Sequence, residues 1–318
     1  MSDIDLPRLG YGAANVGNLY RSMTDEEAAT LLQTAWDSGI RYFDTAPHYG
    51  LGLSERRLGD FLRSKPRTEF IVSTKVGRLL RANPSGAGLS DSAHDFDVPA
   101  DTRRIWDFSA DGIRKSIEDS LLRTGLDRFD IVYLHDPERH DLKQGIDQAL
   151  PALAQMRSEN LVSSIGVGSM QTYALREVVK TGMLDLLMVA GRYTLADQSA
   201  LDDVVPACRA HNVGIIAAAV FNSGLLATDK PVAGSRYDYN DVPVLLLDRV
   251  QRIASICLDF GIPLATAALQ YPLRDQSVQS VVVGGSRPDQ LWQNSARLTQ
   301  RIPEELWQSL TQQKLIPA

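Results

Sequence analysis

Four side chains stand where short apolar runs give out: Asp44 within RYFDTA, Tyr49 just beyond it, Lys75 near the end of FIVSTKV, and His135 closing FDIVYLH. A lysine at the end of an apolar strand is costly to bury unless a carboxylate or a substrate group meets it, and Asp44 is the natural partner. A cationic lysine close to a tyrosine hydroxyl favours the phenolate, drawing a pKa of about 10 toward the range useful for proton transfer. Tyr49 is therefore the candidate general acid/base. Asp44 and Lys75 alone also describe a structural ion pair, and Tyr49 alone a loop aromatic; convergence of all four on one face favours chemistry. His135 opens HDPERH, whose His135, Asp136, Glu138 and His140 could be metal ligands. Pro137 and the polar run after it fit a solvated loop better, so no metal is expected. His48, His94 and His211 read as surface or loop residues.

Two glycine-bearing stretches could hold phosphate. GYGAANVG, with Gly10, Gly12 and Gly17, matches a dinucleotide loop loosely, because it lacks the third glycine at the required spacing. VVVGGSRPDQLWQN is more informative: Gly284 and Gly285 end a strand, Ser286 and Arg287 follow, and a helix begins whose N-terminal amides face the loop. A Gly-Gly turn with a serine cap and a proline at the helix start describes the same residues.

To bring such groups together, the chain must set strand ends side by side. Hydrophobic period and turn residues alternate helix with strand, starting from the amphipathic helix TDEEAATLLQTAWDSG, which Thr24 can cap and Gly39 ends. With LPRLGYGAA counted as the first, there are eight strands, each followed by a helix. They are short, apolar on both faces and β-branched, as in a parallel sheet covered by helices. The pattern predicts an α/β chain forming a single (β/α)8 TIM barrel over residues 1–318, with reactive groups at the carboxyl ends of its strands. The segment from about 77 to 109 is far longer than an ordinary βα loop and is expected to cover the active face as a long irregular loop. Its His94, Asp95, Asp97, Asp101, Arg103, Arg104 and Trp106 would suit sugar hydroxyls, with Trp106 as an aromatic plate.

Composition narrows the partners. The chain has no run of about 18 apolar residues and no basic, then apolar, leader, so it reads as cytoplasmic. With 33 Lys+Arg against 39 Asp+Glu it lacks the basic excess that nucleic acid or a membrane surface would require. A small-molecule substrate and a monomer or small homo-oligomer are expected. Cys208 and Cys257 fall in apolar helical patterns, where a thiol acts as a small hydrophobe rather than a disulfide partner.

YFDTAPHYG, STKVG, YLHDPE, SIGVGS, FNSGLLA and VVVGGSRPDQLWQN occur together, in order, across essentially the whole chain. In this the sequence resembles the aldo-keto reductases. The resemblance implies a (β/α)8 barrel binding NAD(P)(H) in extended form, with hydride passing between nicotinamide and a carbonyl or alcohol carbon. It implies that Tyr49 gives or takes the proton, that Lys75 and Asp44 tune it, and that His135 orients the substrate oxygen. Gly12, Ala13, Asp44 and Ser169 would contact the cofactor, and Tyr193 would stack on the nicotinamide. Phe221, Asn222, Ser223, Gly224 and Leu225 would hold the pyrophosphate, and Gly285, Ser286, Arg287, Gln290 and Asn294 the adenosine end. Where many members have Ser-Asn after the fifth strand this chain has Ser169 and Met170, and where they have Gln it has Ala190.

AGRYTL, FNSGLLA and SRYDYNDVP resemble a subgroup of sugar dehydrogenases, the L-fucose or D-threo-aldose 1-dehydrogenases, with L-galactose and pyridoxal 4-dehydrogenases as relatives. This implies oxidation of a cyclic aldose at its anomeric carbon to a lactone. Pyridoxal is the rival substrate, a general aldehyde or ketone reductase the broader alternative, and a non-catalytic nucleotide-binding barrel the reading from another class. Many NADP-specific relatives carry a lysine before the serine of the adenosine loop and an arginine on the next helix. Gly284 and Gln290 stand at those places, leaving Arg287 as the cation nearby, which implies a preference for NAD with measurable NADP activity.

Overall fold

A computed structural model describes residues 4–238 and 240–317, so Tyr239 of SRYDYNDVP and the extreme ends of the 1–318 span lie outside the described residues. The strands in chain order are β1 (Leu9–Gly12), β2 (Tyr42–Asp44), β3 (Ile71–Val76), β4 (Arg78–Ala82), β5 (Thr102–Trp106), β6 (Phe129–His135), β7 (Val162–Ser169), β8 (Leu186–Ala190), β9 (Gly214–Ala218), β10 (Arg236–Tyr237), β11 (Asn240–Asp241) and β12 (Val278–Val283). Eight of them close into a parallel barrel in the order β1-β12-β9-β8-β7-β6-β3-β2, which are the eight strands read from the sequence. Around it lie α1 (Asp25–Asp37), α2 (Leu53–Leu62), α3 (Ala110–Thr124), α4 (Leu142–Gln144), α5 (Leu150–Ser158), α6 (Thr172–Val179), α7 (Val204–His211), α8 (Val244–Asp259), α9 (Leu264–Gln270), α10 (Pro288–Thr299) and α11 (Glu304–Gln312). No single helix among the described residues is long and apolar enough to cross a membrane.

Local chemistry explains the elements. α1 starts at a reciprocal cap between Thr24 and Glu27 and stops at Gly39, whose φ of +90° only glycine adopts cheaply. Its Ala28, Leu31, Leu32 and Ala35 form the buried stripe that faces the barrel. On the strands, period two sends Phe43, Val72 and Val132 out to the helices and Tyr42, Ile131, Tyr133, Met188, Ile216 and Val282 into the barrel. That parity also turns Asp44, Lys75 and His135 inward at the carboxyl ends of their strands. Gly10 is needed where the ring of Tyr42 fills the barrel, since a Cβ there would lie 2.6 Å from it.

The structure departs from the sequence reading in three places. Residues 77–109 reach over the active face, where Phe96 stacks on Tyr49, but not as an irregular loop: β4 and β5 pair antiparallel from Arg78↔Trp106 to Ala82↔Thr102. The tip folds back onto the β1 loop through the Leu19↔Phe96 bridge and the Tyr20 N–H to Asp95 carbonyl bond. The helix expected over IDQALPALAQMRSEN is broken by a π turn at Gly145–Ala149, because Pro151 lacks an N–H and its ring crowds the carbonyl four residues back. α9 and α11 were not anticipated. Leu264 to Leu269 are all buried, so α9 shows no helical period.

Candidate active site

At the carboxyl end of the barrel, Lys75 is 2% exposed and Asp44 3%. The ammonium donates to Asp44 Oδ2 at 2.5 Å and to the Thr45 carbonyl at 3.0 Å, and its third bond is to the Tyr49 side chain, whose ring centroid lies 4.7 Å away. Three donors meet three acceptors. Burial pushes the Lys75 pKa down, but Asp44 and Tyr49 more than offset it and hold it above the usual lysine value, so the group stays cationic. Asp44 Oδ1 accepts from Ser73 at 2.7 Å, and Ser73, Tyr42 and Tyr133 continue the hydrogen-bonded chain down the barrel at 3.1 and 3.3 Å. A buried hydroxyl left unpaired would cost roughly 1–3 kcal/mol, so the chain fixes the Asp44 carboxylate rather than merely tolerating it.

Tyr49 is held by its backbone. Gly17 packs on the Tyr49–Gly50 peptide, and a Cβ on Gly50 would stand 2.1 Å from the Gly17 oxygen; φ at Gly50 is +61°. The third glycine of GYGAANVG thus serves this close approach.

His135 sits 6.0 Å from the Tyr49 ring, edge to face. Burial, with Arg78 and Lys75 beside it, depresses its pKa well below the usual histidine range, so the ring is neutral. His48, expected to be a surface or loop residue, lies in the turn after β2 but packs inward against Tyr49, Phe96 and His135, and burial pushes its pKa down to about 2. Both rings belong to the aromatic wall around Tyr49.

From these groups a cleft of about 570 Å³ runs across the barrel end to α10. Its floor is small and apolar at Ala190, Ala218 and Ala219. One wall is the Phe221–Gly224 turn, in which Asn222, Ser223 and Gly224 all take positive φ. Asn222 donates from Nδ2 to the Gly191 carbonyl, while its Oδ1 is buried without a partner. Ser169 lines the opposite side and donates to Glu138 at 2.6 Å, a carboxyl whose pKa burial raises and whose Oε2 also lacks a partner. One unpartnered buried acceptor in the cleft lining, Asn222 Oδ1, suits a ligand that brings its own amide donor, while Glu138 meets the cleft only through Ser169.

The model of the aldo/keto reductase family matches residues 8–314. The chain belongs to that family. This aldo/keto reductase is 57% identical to the D-threo-aldose 1-dehydrogenase of Pseudomonas sp over 98% of its own length and 95% of that protein's. It is 36% identical to the pyridoxal 4-dehydrogenase of Microbacterium luteolum, covering 97% of this chain and 94% of that one. Among solved structures, the holo form of an aldo-keto reductase from Bacillus halodurans superposes with a TM-score of 0.76 at 24% identity, covering 100% of this chain and 95% of that one.

In this family member Gly12, Asp44, Tyr49, Lys75, His135, Ser169, Phe221, Asn222, Ser223, Gly224, Gly285, Ser286, Arg287, Gln290 and Asn294 all line the one cleft. Four expected residues do not. Ala13 and Leu225 are buried behind the wall. Tyr193 points away: past Gly191, whose φ is +70°, the chain turns outward, and the Tyr193 hydroxyl donates to Asp275 at 3.0 Å among residues lining a separate cavity. Trp106 stacks on His140 at 5.3 Å, and Arg78 lies 4.2 Å from its ring centroid, so its faces meet protein groups. Of the charges expected to meet sugar hydroxyls, His94 and Arg104 are engaged by Asp91, with Arg104 bridging it at 2.6 Å and donating to the His48 carbonyl, while Asp95, Asp97, Asp101 and Arg103 are exposed on the hairpin.

The HDPERH side chains also diverge, with Asp136 on Arg78, Glu138 on Ser169 and His140 on Trp106. At the α10 end Gln290 accepts from the Ser286 and Arg287 amides. Arg287 is not the one cation there, as expected from sequence: Arg297 lines the same end, and Arg21 donates to the Ser286 carbonyl. Arg297 stands in the last turn of α10, ten residues past the extended N-cap Arg287, and only the fold places it at this cleft.

Proposed function

We propose that this aldo/keto reductase is an NAD-dependent aldose 1-dehydrogenase acting on the cyclic sugar, with NADP as a weaker alternative. The observation that carries the reading is the buried Asp44–Lys75–Tyr49 chain in a cleft of about 570 Å³ that reaches from it to α10. A nicotinamide bound in the cleft would supply the hydride acceptor. Asn222 Oδ1 offers an acceptor for an amide donor, Ser286 and the Gly284–Gly285 turn stand at the α10 end, and the alanine floor leaves room for a planar ring.

The chain's own work is with the proton. Lys75 donates to Tyr49 and remains cationic, so the phenolate is favoured and accepts the proton of the anomeric hydroxyl as that carbon is oxidised. Asp44 keeps Lys75 aimed, through the shortest of its hydrogen bonds. Neutral His135 donates to the same substrate oxygen and orients it. The substrate class rests on the 57% identical aldose 1-dehydrogenase, and the pyridoxal 4-dehydrogenase supplies the rival. Initial rates for a panel of aldoses and pyridoxal, each with NAD and NADP, test the reading. Efficient turnover of an aldose with NAD is expected; efficient turnover of pyridoxal with poor turnover of every aldose overturns it.

A further inference from the structure

Arg78 heads β4, and nothing in the sequence marks it for chemistry. It is 5% exposed. Its Nη1 lies 2.9 Å from His135 Nδ1 and its Nη2 2.9 Å from Asp136 Oδ2. A guanidinium can only donate. His135 Nδ1 must then accept, which leaves the single proton of the neutral ring on Nε2. Asp136 Oδ2 stands 3.6 Å from Nε2, beyond an ordinary hydrogen bond, so that proton is left for the cleft.

We propose that Arg78 is a positioning residue that fixes His135 as the neutral Nε2–H tautomer, so that the imidazole only donates to the substrate oxygen. The proposal rests on the role given to His135 above. The reacting hydroxyl has one proton, and Tyr49 must receive it. A histidine with a lone pair at Nε2 would compete for that proton; one with Nε2–H cannot, and directs it to Tyr49. Arg78 is suited to the task because it is held from several sides. It pairs with Trp106 in the hairpin register, its guanidinium carbon is 4.2 Å from the Trp106 ring, and Trp106 is backed by His140. Lys75 from β3, His48 and Tyr49 from the β2 loop, and Arg139 from the loop after β6 also face the imidazole. Burial, seconded by these cations, keeps it uncharged, and of the groups around it Arg78 is the one that hydrogen-bonds a ring nitrogen among the described residues.

The test is a long-range proton–nitrogen correlation on the full chain labelled with 15N-histidine, with His135 assigned from the spectrum of His135→Gln. In the wild type His135 is expected to show Nε2–H and an unprotonated Nδ1, unchanged from about pH 5.5 to 8.5. In Arg78→Met the signal should move to mixed tautomers or titrate within that window. The kcat should fall at least about tenfold, with KM moving less than about threefold. Arg78→Lys keeps one donor and should restore the tautomer and most of the kcat. The proposal is overturned by Nδ1–H in the wild type, by an unchanged tautomer in Arg78→Met, or by a tautomer change without loss of kcat. If Arg78→Met does not fold, the wild-type and Arg78→Lys spectra decide, since Nδ1–H in either overturns it. The spectra need no substrate, so an enzyme that keeps the tautomer yet oxidises no aldose counts against the substrate reading alone.

Discussion

The two ends of the cleft are built differently. Around Tyr49, ionisable side chains are buried and bonded within the protein: Lys75 by three partners, Asp44 by Lys75 and Ser73, and His135 by Arg78. Around α10, Arg287 and Asp289 form an exposed pair at 3.0 Å, with side chains 60% and 52% exposed. In the first region a charge change is felt at full strength, because little water screens it. In the second, an ion pair of that exposure is worth little and can be exchanged with ease. The reaction end is therefore expected to be intolerant, and the nucleotide end adjustable.

The largest break in that contrast should come from acid. His48 and His135 are neutral in the fold because burial, seconded by Arg78, lowers both pKa values below the ordinary 6.5. A depressed histidine contributes stability that is present above the unfolded value and is lost as pH falls toward the folded one. Below pH 6.5 the unfolded chain takes up these protons and the folded chain does not, at about 1.4 kcal/mol per group per pH unit, or about 4 kcal/mol for the pair by pH 5. Urea midpoints at pH 7.5, 6 and 5 should fall accordingly, and His48→Leu should remove about half of the slope. A flat profile would contradict the buried neutral pair.

Next comes Tyr49→Phe, which keeps the ring and removes the exchangeable proton. Turnover should drop by at least about a hundredfold, near 2.7 kcal/mol, with cofactor affinity almost unchanged. Retention of a tenth of wild-type turnover would reject Tyr49 as the acid/base. Lys75→Met should approach the same loss, since the phenolate is then without its cation. Gly50→Ala is expected to lower stability by about 2 kcal/mol, from left-handed strain and the contact with the Gly17 oxygen. Its melting temperature should fall by several degrees and its kcat with it; a fall in neither would mean that the Gly17 contact does not hold Tyr49. The smallest effect belongs to the far end: Arg287→Ala should change the NAD/NADP ratio of kcat/KM by less than about fivefold, because Asp289 already engages that cation and Arg297 stands nearby. A larger change would make Arg287 the main reader of the phosphate.

Much of the barrel was legible because each strand is a short apolar run with a turn after it, and because Asp44, Lys75 and His135 share the inward parity of those runs. The hairpin was not: RLLRA and TRRIW are short, charged and some 20 residues apart, and pairing between such segments leaves no local period. With it went Arg78, whose partner is 57 positions away. Tyr193 was misplaced for the opposite reason. Its motif lies just beyond a strand end, but the positive φ of Gly191 sends the chain to the outer layer, a choice that the residue type two positions on does not reveal.

The hairpin also sets where this protein can be recombined. It is clasped at Asn83, whose amide reaches the Asp101 carbonyl at 2.6 Å and whose side chain reaches the Ala100 carbonyl at 2.7 Å. A segment exchanged between those clasps carries the tip that covers Tyr49 and leaves the lower rungs in place. A segment cut at Gly77 takes Arg78 with it. Natural or engineered diversification above the clasp therefore leaves the Arg78 bond to the imidazole in place, provided the residue at position 96 still packs on His48, and the hairpin is divided into a replaceable half and an inherited one.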